Sequence, residues 1–350
     1  MEESVILREG YTRLRKTRAA FIGGLLALLV ILIGVAVTLG SAGYTVGESY
    51  LAILAGIFPE TFTAPDMADV IIWEYRLHRV LFAVAAGFGL AVAGSVMQGI
   101  LRNPLASPFT LGISSAAATG ASVAIVLGAG FVGGEYLIIA NAFLFALLAS
   151  AAIYGMARYR GVSSETMILA GIALMYLFSA VTSLLQYVGT AEELQAVVFW
   201  MFGSVGKSTW TKLGIVTLVL VCTIPYLIYR AWDLNALAEG DEVAAGLGVP
   251  VERSMIVFMM IASLITAVII CFTGTIGFIG LVAPHITRMA IGGDYRTLIP
   301  ASGLVGAVLL LAADSIGRSI LAPQVLPVGI VTAFLGVPFF IYLFMHRGDA

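Results

Sequence analysis

The chain has 350 residues, of which 60% are apolar and only 11% are charged. Soluble domains carry roughly 25% charged residues, so this chain has less than half the charge that an aqueous surface requires. The composition therefore excludes a soluble globular protein. The formal net charge of −2 also argues against nucleic acid as a partner, because phosphate binding needs Lys and Arg clustered on one face.

Long uncharged stretches locate the candidate membrane spans of the chain, since a membrane-spanning helix needs about 20 mostly apolar residues. Nine such stretches occur, at 19–47, 80–101, 103–134, 136–157, 166–191, 213–229, 254–287, 297–313 and 319–346. The stretch 254–287 is interrupted by three glycines and Pro284, so we divide it into two segments with a Gly-rich reversal between them. The sequence predicts an all-α polytopic membrane protein with about ten transmembrane helices.

The first stretch follows five basic residues within 8–18, which resemble the start of a signal peptide. Its apolar run, 19–39, is longer than the 7–15 residues of a cleavable signal. We therefore expect a retained first helix after a cytoplasmic N-terminal tail, residues 1–18.

Basic residues predict the orientation, because Lys and Arg are retained on the cytoplasmic side of a membrane. With ten alternating spans and both termini in the cytoplasm, most of the basic residues are cytoplasmic. The predicted cytoplasmic set is Arg8, Arg13, Arg15, Lys16, Arg18, Arg102, Arg158, Arg160, Arg230, Arg253, Arg288, Arg296 and Arg347. The outward exceptions are Arg76, Arg79, Lys207, Lys212 and Arg318.

No motif in the chain points to catalysis, a metal or a cofactor. The segment 203–209 resembles a P-loop, but the position where the motif needs its first glycine holds Met201, and no strand precedes it. Only His285 and Asp314 are ionisable residues within the spans, fewer than an ion-coupled carrier is expected to show. An ion-coupled secondary transporter and an intramembrane enzyme remain as alternatives.

The segment 230–253 is the longest polar connection and holds five acids against two arginines. Within it, 235–248 is typical of a short helix, a glycine turn and a second helix that ends at Gly248 and Pro250. One interpretation is a solvated loop. The other is a protrusion that fits a groove on a cytoplasmic partner.

Five motifs in order carry a family resemblance. Residues 103–108 (N-P-L-A-S-P), 111–115 (L-G-I-S-S), 277–288 (G-F-I-G-L-V-A-P-H-I-T-R), 313–318 (A-D-S-I-G-R) and 326–340 (L-P-V-G-I-V-T-A-F-L-G-V-P-F-F) resemble segments of one permease family. That family is the FecCD type, whose members are type II permease subunits of ABC importers for ferric siderophores, haem and cobalamin. The similarity extends from about residue 75 to the C-terminus.

The resemblance implies roles for three of the outward arginines. Family members have R-L-P-R before the second helix and A-D-x-x-x-R after the ninth, and these arginines meet acidic residues of an extracytoplasmic binding protein. The matching residues are Arg76, Arg79 and Arg318, and His78 replaces the family's proline. Arginine presents a planar fork that suits carboxylates. The alternative is that these arginines only anchor the helices at the interface.

The resemblance also assigns 235–249 to the coupling helices that seat on ATPase subunits. Ala245 stands where the family has arginine, and Val325 stands where it usually has glutamate. The predicted coupling residues are Asn235, Glu239, Gly240, Asp241, Glu242, Leu247 and Gly248.

Together these matches imply a transport subunit and not an enzyme. We expect one permease domain, 1–350, in the cytoplasmic membrane of a prokaryote, with no cofactor. Its expected partners are the lipid bilayer, a second copy of itself, two cytoplasmic ATP-binding subunits and the binding protein. Ser114, Ser115 and the external segment 186–202 are candidates for the translocation pathway, with ordinary helix packing as the alternative.

Overall fold

The structure is a computed structural model that describes residues 2–40, 43–65, 67–130 and 132–345. Every element in these ranges is helical. The α-helices are α1 (Glu2–Thr38), α2 (Val46–Ile57), α3 (Ala68–Ile71), α4 (His78–Ile100), α5 (Ile113–Leu127), α6 (Leu137–Arg160), α7 (Ser164–Val188), α8 (Ala191–Met201), α9 (Trp210–Tyr229), α10 (Ala231–Glu239), α11 (Asp241–Gly246), α12 (Val251–Thr273), α13 (Ile279–Ile291), α14 (Tyr295–Ser319) and α15 (Val328–Met345). A π-helical turn, Ile72–Leu77, joins α3 to α4, and a 3₁₀ turn, Gly134–Tyr136, precedes α6.

The predicted polytopic fold is confirmed. The ten predicted segments correspond to α1, α4, α5, α6, α7, α9, α12, α13, α14 and α15. Within the described ranges, seven helices are long and apolar enough to cross a membrane, and α2, α5, α13 and α15 are shorter apolar helices. The division of 254–287 is correct, because α12 ends at Thr273 and α13 begins at Ile279.

Two helices outside the ten predicted segments, α2 and α8, begin with capping boxes. The Thr45 hydroxyl accepts a hydrogen bond from the Glu48 N–H, and the Glu48 carboxylate accepts one from the Thr45 N–H. Thr190 and Glu193 make the same reciprocal pair at the start of α8. A T-x-x-E pattern before an apolar run is a sequence signature for the start of a helix, and here it marks two short helices.

Helix α4 is the centre of the bundle and packs against α9, α12, α13 and α14. Two glycines of α4 allow its backbone to lie against the backbones of neighbouring helices. A Cβ at Gly87 would overlap the carbonyl of Gly306 on α14, and a Cβ at Gly94 would overlap the carbonyl of Gly280 on α13. In lipid, helices associate through such close backbone contact rather than through a hydrophobic force. These glycines therefore fix α4 against two neighbours.

The antiparallel packing of α4 on α14 separates the charged residues into two groups. Arg79 lies at the start of α4 and Arg318 at the end of α14, so both lie at one end of the bundle. Arg102 follows α4 and Asp294 precedes α14, which places them at the other end. The predicted outward residues Arg79 and Arg318 thus lie at the end opposite to the predicted cytoplasmic residue Arg102, and Arg347 is outside the described residues.

Candidate functional site

The first candidate site is an arginine cluster centred on the buried carboxylate of Asp314. Arg79 Nη2 donates to Asp314 Oδ1 at 2.8 Å, and Arg79 Nε lies 3.3 Å from both carboxylate oxygens. Arg318, one helical turn after Asp314, places its Nε 3.1 Å from Oδ2. The Asp314 side chain is only 3% exposed. One carboxylate therefore holds two guanidinium groups from two different helices.

The cluster also holds the C-terminal end of α1. Arg76 Nη1 donates to the carbonyls of Val37 and Thr38 at 3.0 and 3.1 Å, and Arg318 Nη1 donates to the carbonyl of Leu39 at 3.1 Å. Val37 and Thr38 belong to the last turn of α1 and Leu39 follows it directly, so no intrahelical N–H is available to these carbonyls. Cations are favourable at this negative end of the helix dipole. The arginines thus cap the C-terminal end of α1 and also balance the negative charge of Asp314.

The three arginines predicted to face a binding protein are largely enclosed. The side chains of Arg79 and Arg318 are 16% and 9% exposed, and Arg76 is buried. Arg318 Nη2 is buried without a hydrogen-bond acceptor among the described residues. The sequence placed these residues together at one end of the bundle, but it did not reveal their internal partners.

His78, which replaces the family's proline, ties this cluster to the segment before α9. Its Nε2 lies 2.8 Å from the carbonyl of Glu74, so Nε2 carries a proton, and its Nδ1 lies 3.0 Å from the hydroxyl of Ser208. The Trp210 indole N–H donates to the Trp73 carbonyl at 3.1 Å, and the two indole rings stack. A proline at position 78 could make neither side-chain hydrogen bond.

The second candidate site, at the opposite end, is the Asp294 cluster: Arg18, Asn235, Asp294 and Arg296. Arg18 Nη1 and Arg296 Nη2 both pair with Asp294 Oδ2, and Asn235 Nδ2 donates to Oδ1 at 3.1 Å. Asn235 Oδ1 accepts the Tyr295 N–H at 2.9 Å. The hydrogen bonds from Arg296 hold the pKa of Asp294 well below its usual range, against the opposing effect of burial. The cluster anchors α10 to α1 and α14.

The predicted helix, glycine turn and helix of the coupling segment are confirmed as α10, Gly240 and α11. Gly240 has φ +125°, a conformation that suits glycine. Glu239, Glu242, Leu247 and Gly248 are exposed, and Leu247 is 71% exposed.

Two other predicted coupling residues make contacts inside the chain. Asp241 pairs with Arg102 at 3.2 Å. Asn235 belongs to the Asp294 cluster. Its amide therefore holds α10 in place and is not free to bind a partner protein.

A large apolar cavity lies between α8, α15 and the connection from α12 to α13. Its volume is about 530 Å³, and Phe278 forms part of the wall between it and a second cavity of about 250 Å³. Phe278 has φ +66°, which is rare for a residue other than glycine. Met201 and Phe202, at the end of the predicted external segment, line the larger cavity.

The two predicted pathway serines do not line this cavity. Ser114 is buried beside a void of about 20 Å³, and the carbonyl of its half-buried neighbour Ser115 accepts the Thr119 hydroxyl within α5. The contribution of α15 to the cavity, through Phe334 and Pro338, was not predicted. Its uniformly apolar sequence resembles that of any spanning helix.

Comparisons with known proteins agree with this architecture. The model of the FecCD transport family matches residues 17–346. An ABC transporter permease protein of Methanocaldococcus jannaschii is 49% identical over 80% of this chain and 83% of the relative. The hemin transport system permease protein of Yersinia pestis is 37% identical over 94% of this chain and 96% of the relative.

A solved structure also matches nearly the whole chain. It is described as an inward-facing conformation of a metal-chelate type ABC transporter, with a TM-score of 0.82, 31% identity, and coverage of 93% of this chain and 99% of that one. The match to the family model extends over most of the sequence, and the fold match extends over most of the structure. The chain therefore belongs to the FecCD transport family and is a multi-pass permease subunit of an ABC importer.

Proposed function

We propose that this permease passes a metal chelate, namely a ferric siderophore, haem or cobalamin, from a binding protein outside to the cytoplasm. The observation that carries the proposal is the placement of two sets of residues at opposite ends of the bundle. The arginine cluster lies at one end, and the exposed surface of α10 and α11 lies at the other. The first end would face the extracytoplasmic side of a prokaryotic cytoplasmic membrane, with both termini and the N-terminal tail inside.

At the outer end, Arg76, Arg79 and Arg318 would receive acidic residues of the binding protein. The side chains of Arg79 and Arg318 keep 16% and 9% of their surface exposed, and a carboxylate of the partner would bind at these exposed parts. The cluster carries three guanidinium groups against the carboxylate of Asp314, so its local charge is positive. Charge complementarity of this kind steers association and fixes orientation.

At the inner end, Glu239, Glu242, Leu247 and Gly248 would contact two ATPase subunits. The residue Leu247 supplies an exposed apolar contact, while Gly240, Asp241 and Asn235 shape and anchor the two helices. The chain itself is a transport subunit and leaves ATP hydrolysis to these partners. Movement of α10 would reach α1 and α14 through the Asp294 cluster.

Two copies of the chain would enclose the pathway between them, within the single domain 1–350. The large apolar cavity beside Phe278, with no charged side chain among its lining residues, suits a bulky chelate. Ser114 and Ser115 would then support the packing of α5 against this wall. Alternation between outward and inward states requires that each partner binds one conformation better than the other.

The docking proposal is tested with Arg318→Lys and Arg79→Lys in the reconstituted importer. Lysine keeps the positive charge near Asp314 but removes the planar fork. We expect each variant to weaken binding of the binding protein by about tenfold, equivalent to about 1.4 kcal/mol. Because the weaker contact with Asp314 also lowers thermal stability, the affinity is measured well below the unfolding temperature of each variant. Unchanged affinity in both variants would reject the docking role.

The coupling proposal is tested separately with Glu242→Ala and Leu247→Ala. We expect either change to lower substrate-stimulated ATP turnover or to release the ATPase subunits. Tyr159→Ala is the matched control, since Tyr159 is also exposed but lies at the end of α6, outside α10 and α11. Transport by the chain alone under an ion gradient would instead support a secondary carrier.

A further inference from the structure

A groove at the inner end is lined by two arginines that form no salt bridge among the described residues. It has a volume of about 420 Å³ and lies between the C-terminal end of α6 and the N-terminal end of α12. Arg158 and Arg253 both line it. Among the described residues, neither forms a salt bridge, whereas Arg18, Arg79 and Arg102 each pair with an aspartate. The groove therefore carries two guanidinium groups that are not engaged in a salt bridge within the described residues.

The polar part of the groove is organised for an anion. Arg158 Nη1 donates to the hydroxyl of Tyr154 at 3.0 Å, which orients the guanidinium along the wall. Glu252 also lines the groove. Two arginines and one glutamate leave a net charge of +1, which one negative charge on a ligand would balance.

The other part of the groove is apolar and lies deeper along α12. Ile256 and Val257 follow Arg253 by three and four residues, so they lie on the same helix face. Both α6 and α12 are long enough to span a membrane. The arginines thus lie where two candidate spans end, which would be the level of lipid headgroups, and the apolar residues would lie at the level of the first acyl carbons.

We propose that this groove binds one anionic phospholipid with a single net negative charge. Its phosphate lies between Arg158 and Arg253, the carboxylate of Glu252 accepts a headgroup hydroxyl, and the acyl chains begin against Ile256 and Val257. Basic pockets between membrane helices are a recognised way to hold anionic headgroups. A zwitterionic lipid would leave the charge of +1 unbalanced, and a free phosphate ion would leave the apolar wall uncovered.

The test measures lipid binding to the full chain, purified in detergent and stripped of lipid, by native mass spectrometry. Phosphatidylglycerol, phosphatidylethanolamine and phosphatidylcholine with identical acyl chains are titrated in turn. We expect phosphatidylglycerol to bind most tightly. We expect Arg158→Gln combined with Arg253→Gln to weaken it by about 30-fold, the effect of removing two arginines beside an anionic headgroup. Equal binding of the three lipids would overturn the proposal.

Two further variants separate this site from general attraction to the protein surface. Arg15→Gln combined with Arg160→Gln removes the same charge from exposed arginines that do not line the groove, and we expect less than about a twofold change. Ile256→Trp fills the groove and keeps both arginines, so it should weaken lipid binding. An equal loss in the control, no loss with Ile256→Trp, or equally tight binding of inorganic phosphate would each reject a lipid site.

Discussion

Arg79 and Asp314, 235 residues apart in the sequence, form a bidentate ion pair that joins the start of α4 to the end of α14. The pair is a second contact between α4 and α14, in addition to the close approach of Gly87 and Gly306. It lies near the end of α14, whereas Asp294 lies at the start of that helix. Because Asp314 also holds Arg318, loss of this carboxylate would leave two enclosed cations without their counterion.

Asp314→Asn should therefore destabilise the chain strongly. Breaking a buried ion pair by removing one partner costs about 3–5 kcal/mol, and we expect a loss near the lower value because Arg79 is partly exposed. Thermal unfolding in detergent measures the change. Glu74→Gln removes an acid from an exposed position on the neighbouring turn and should have little effect. Equal stability of the two variants would mean that the ion pairs contribute nothing.

The hydrogen bond between His78 and Ser208 should contribute a measurable coupling energy. His78→Phe keeps a ring but removes both nitrogens, and Ser208→Ala removes the hydroxyl. A double-mutant cycle should give a coupling of about 0.5–1.5 kcal/mol, the usual net value of such a bond. Additive effects would show that the two side chains act independently. His78→Asn is a further variant, which retains a polar group at this position.

The contact between α4 and α13 should not tolerate a methyl group at Gly94. Gly94→Ala would place a Cβ onto the backbone of Gly280, so the helices must separate. We expect a loss of about 1–3 kcal/mol, typical of overpacking. Gly23→Ala is the matched control, because a Cβ there meets nothing within 4 Å. Near-native stability of Gly94→Ala would contradict the close approach.

The Asp294 cluster predicts a dependence of stability on acidic pH. The pKa of Asp294 lies below its usual value, chiefly because Arg296 donates hydrogen bonds to it. The unfolded carboxyl, with a pKa of about 3.9, therefore binds a proton at a higher pH than the folded one. The stabilisation is present above about pH 5 and is lost as pH falls through the folded pKa.

Unfolding measured from pH 6 downwards checks this expectation. Asp294→Asn should lose stability at pH 6 and should show a flatter pH dependence than the unmodified chain. Asp69→Asn changes an exposed acid at the other end and should keep the original slope. Parallel curves for Asp294→Asn and the unmodified chain would show that Asp294 is not responsible.

Much of the fold was readable from the sequence, because the requirement for apolar length in a bilayer is strict. The uncharged stretch 254–287, divided at its glycines, predicted α12 and α13. Gly240 within 235–248 predicted the turn between α10 and α11. Helix α2 is shorter than a membrane span, so the search for long uncharged stretches does not separate it from the connection after α1. The T-x-x-E pattern at Thr45 nevertheless marks its start.

The candidate site was predicted less completely. The i, i+4 spacing makes the pair of Asp314 and Arg318 readable from sequence. The contacts of Arg79 with Asp314 and of Arg76 with Val37 depend on how α1, α4 and α14 pack, which local patterns do not specify. For the same reason, the sequence placed Asn235 on a docking surface, while the structure uses it to anchor α10.

One aromatic residue, Phe278, is common to the two apolar cavities. It lines both the larger and the smaller space, so the orientation of its side chain sets part of the boundary of each. Gly336 on α15 lies directly against that ring, since a Cβ there would meet it at 2.5 Å. A displacement of α15 would therefore change the space available to the Phe278 side chain, and with it the shared boundary of the two cavities.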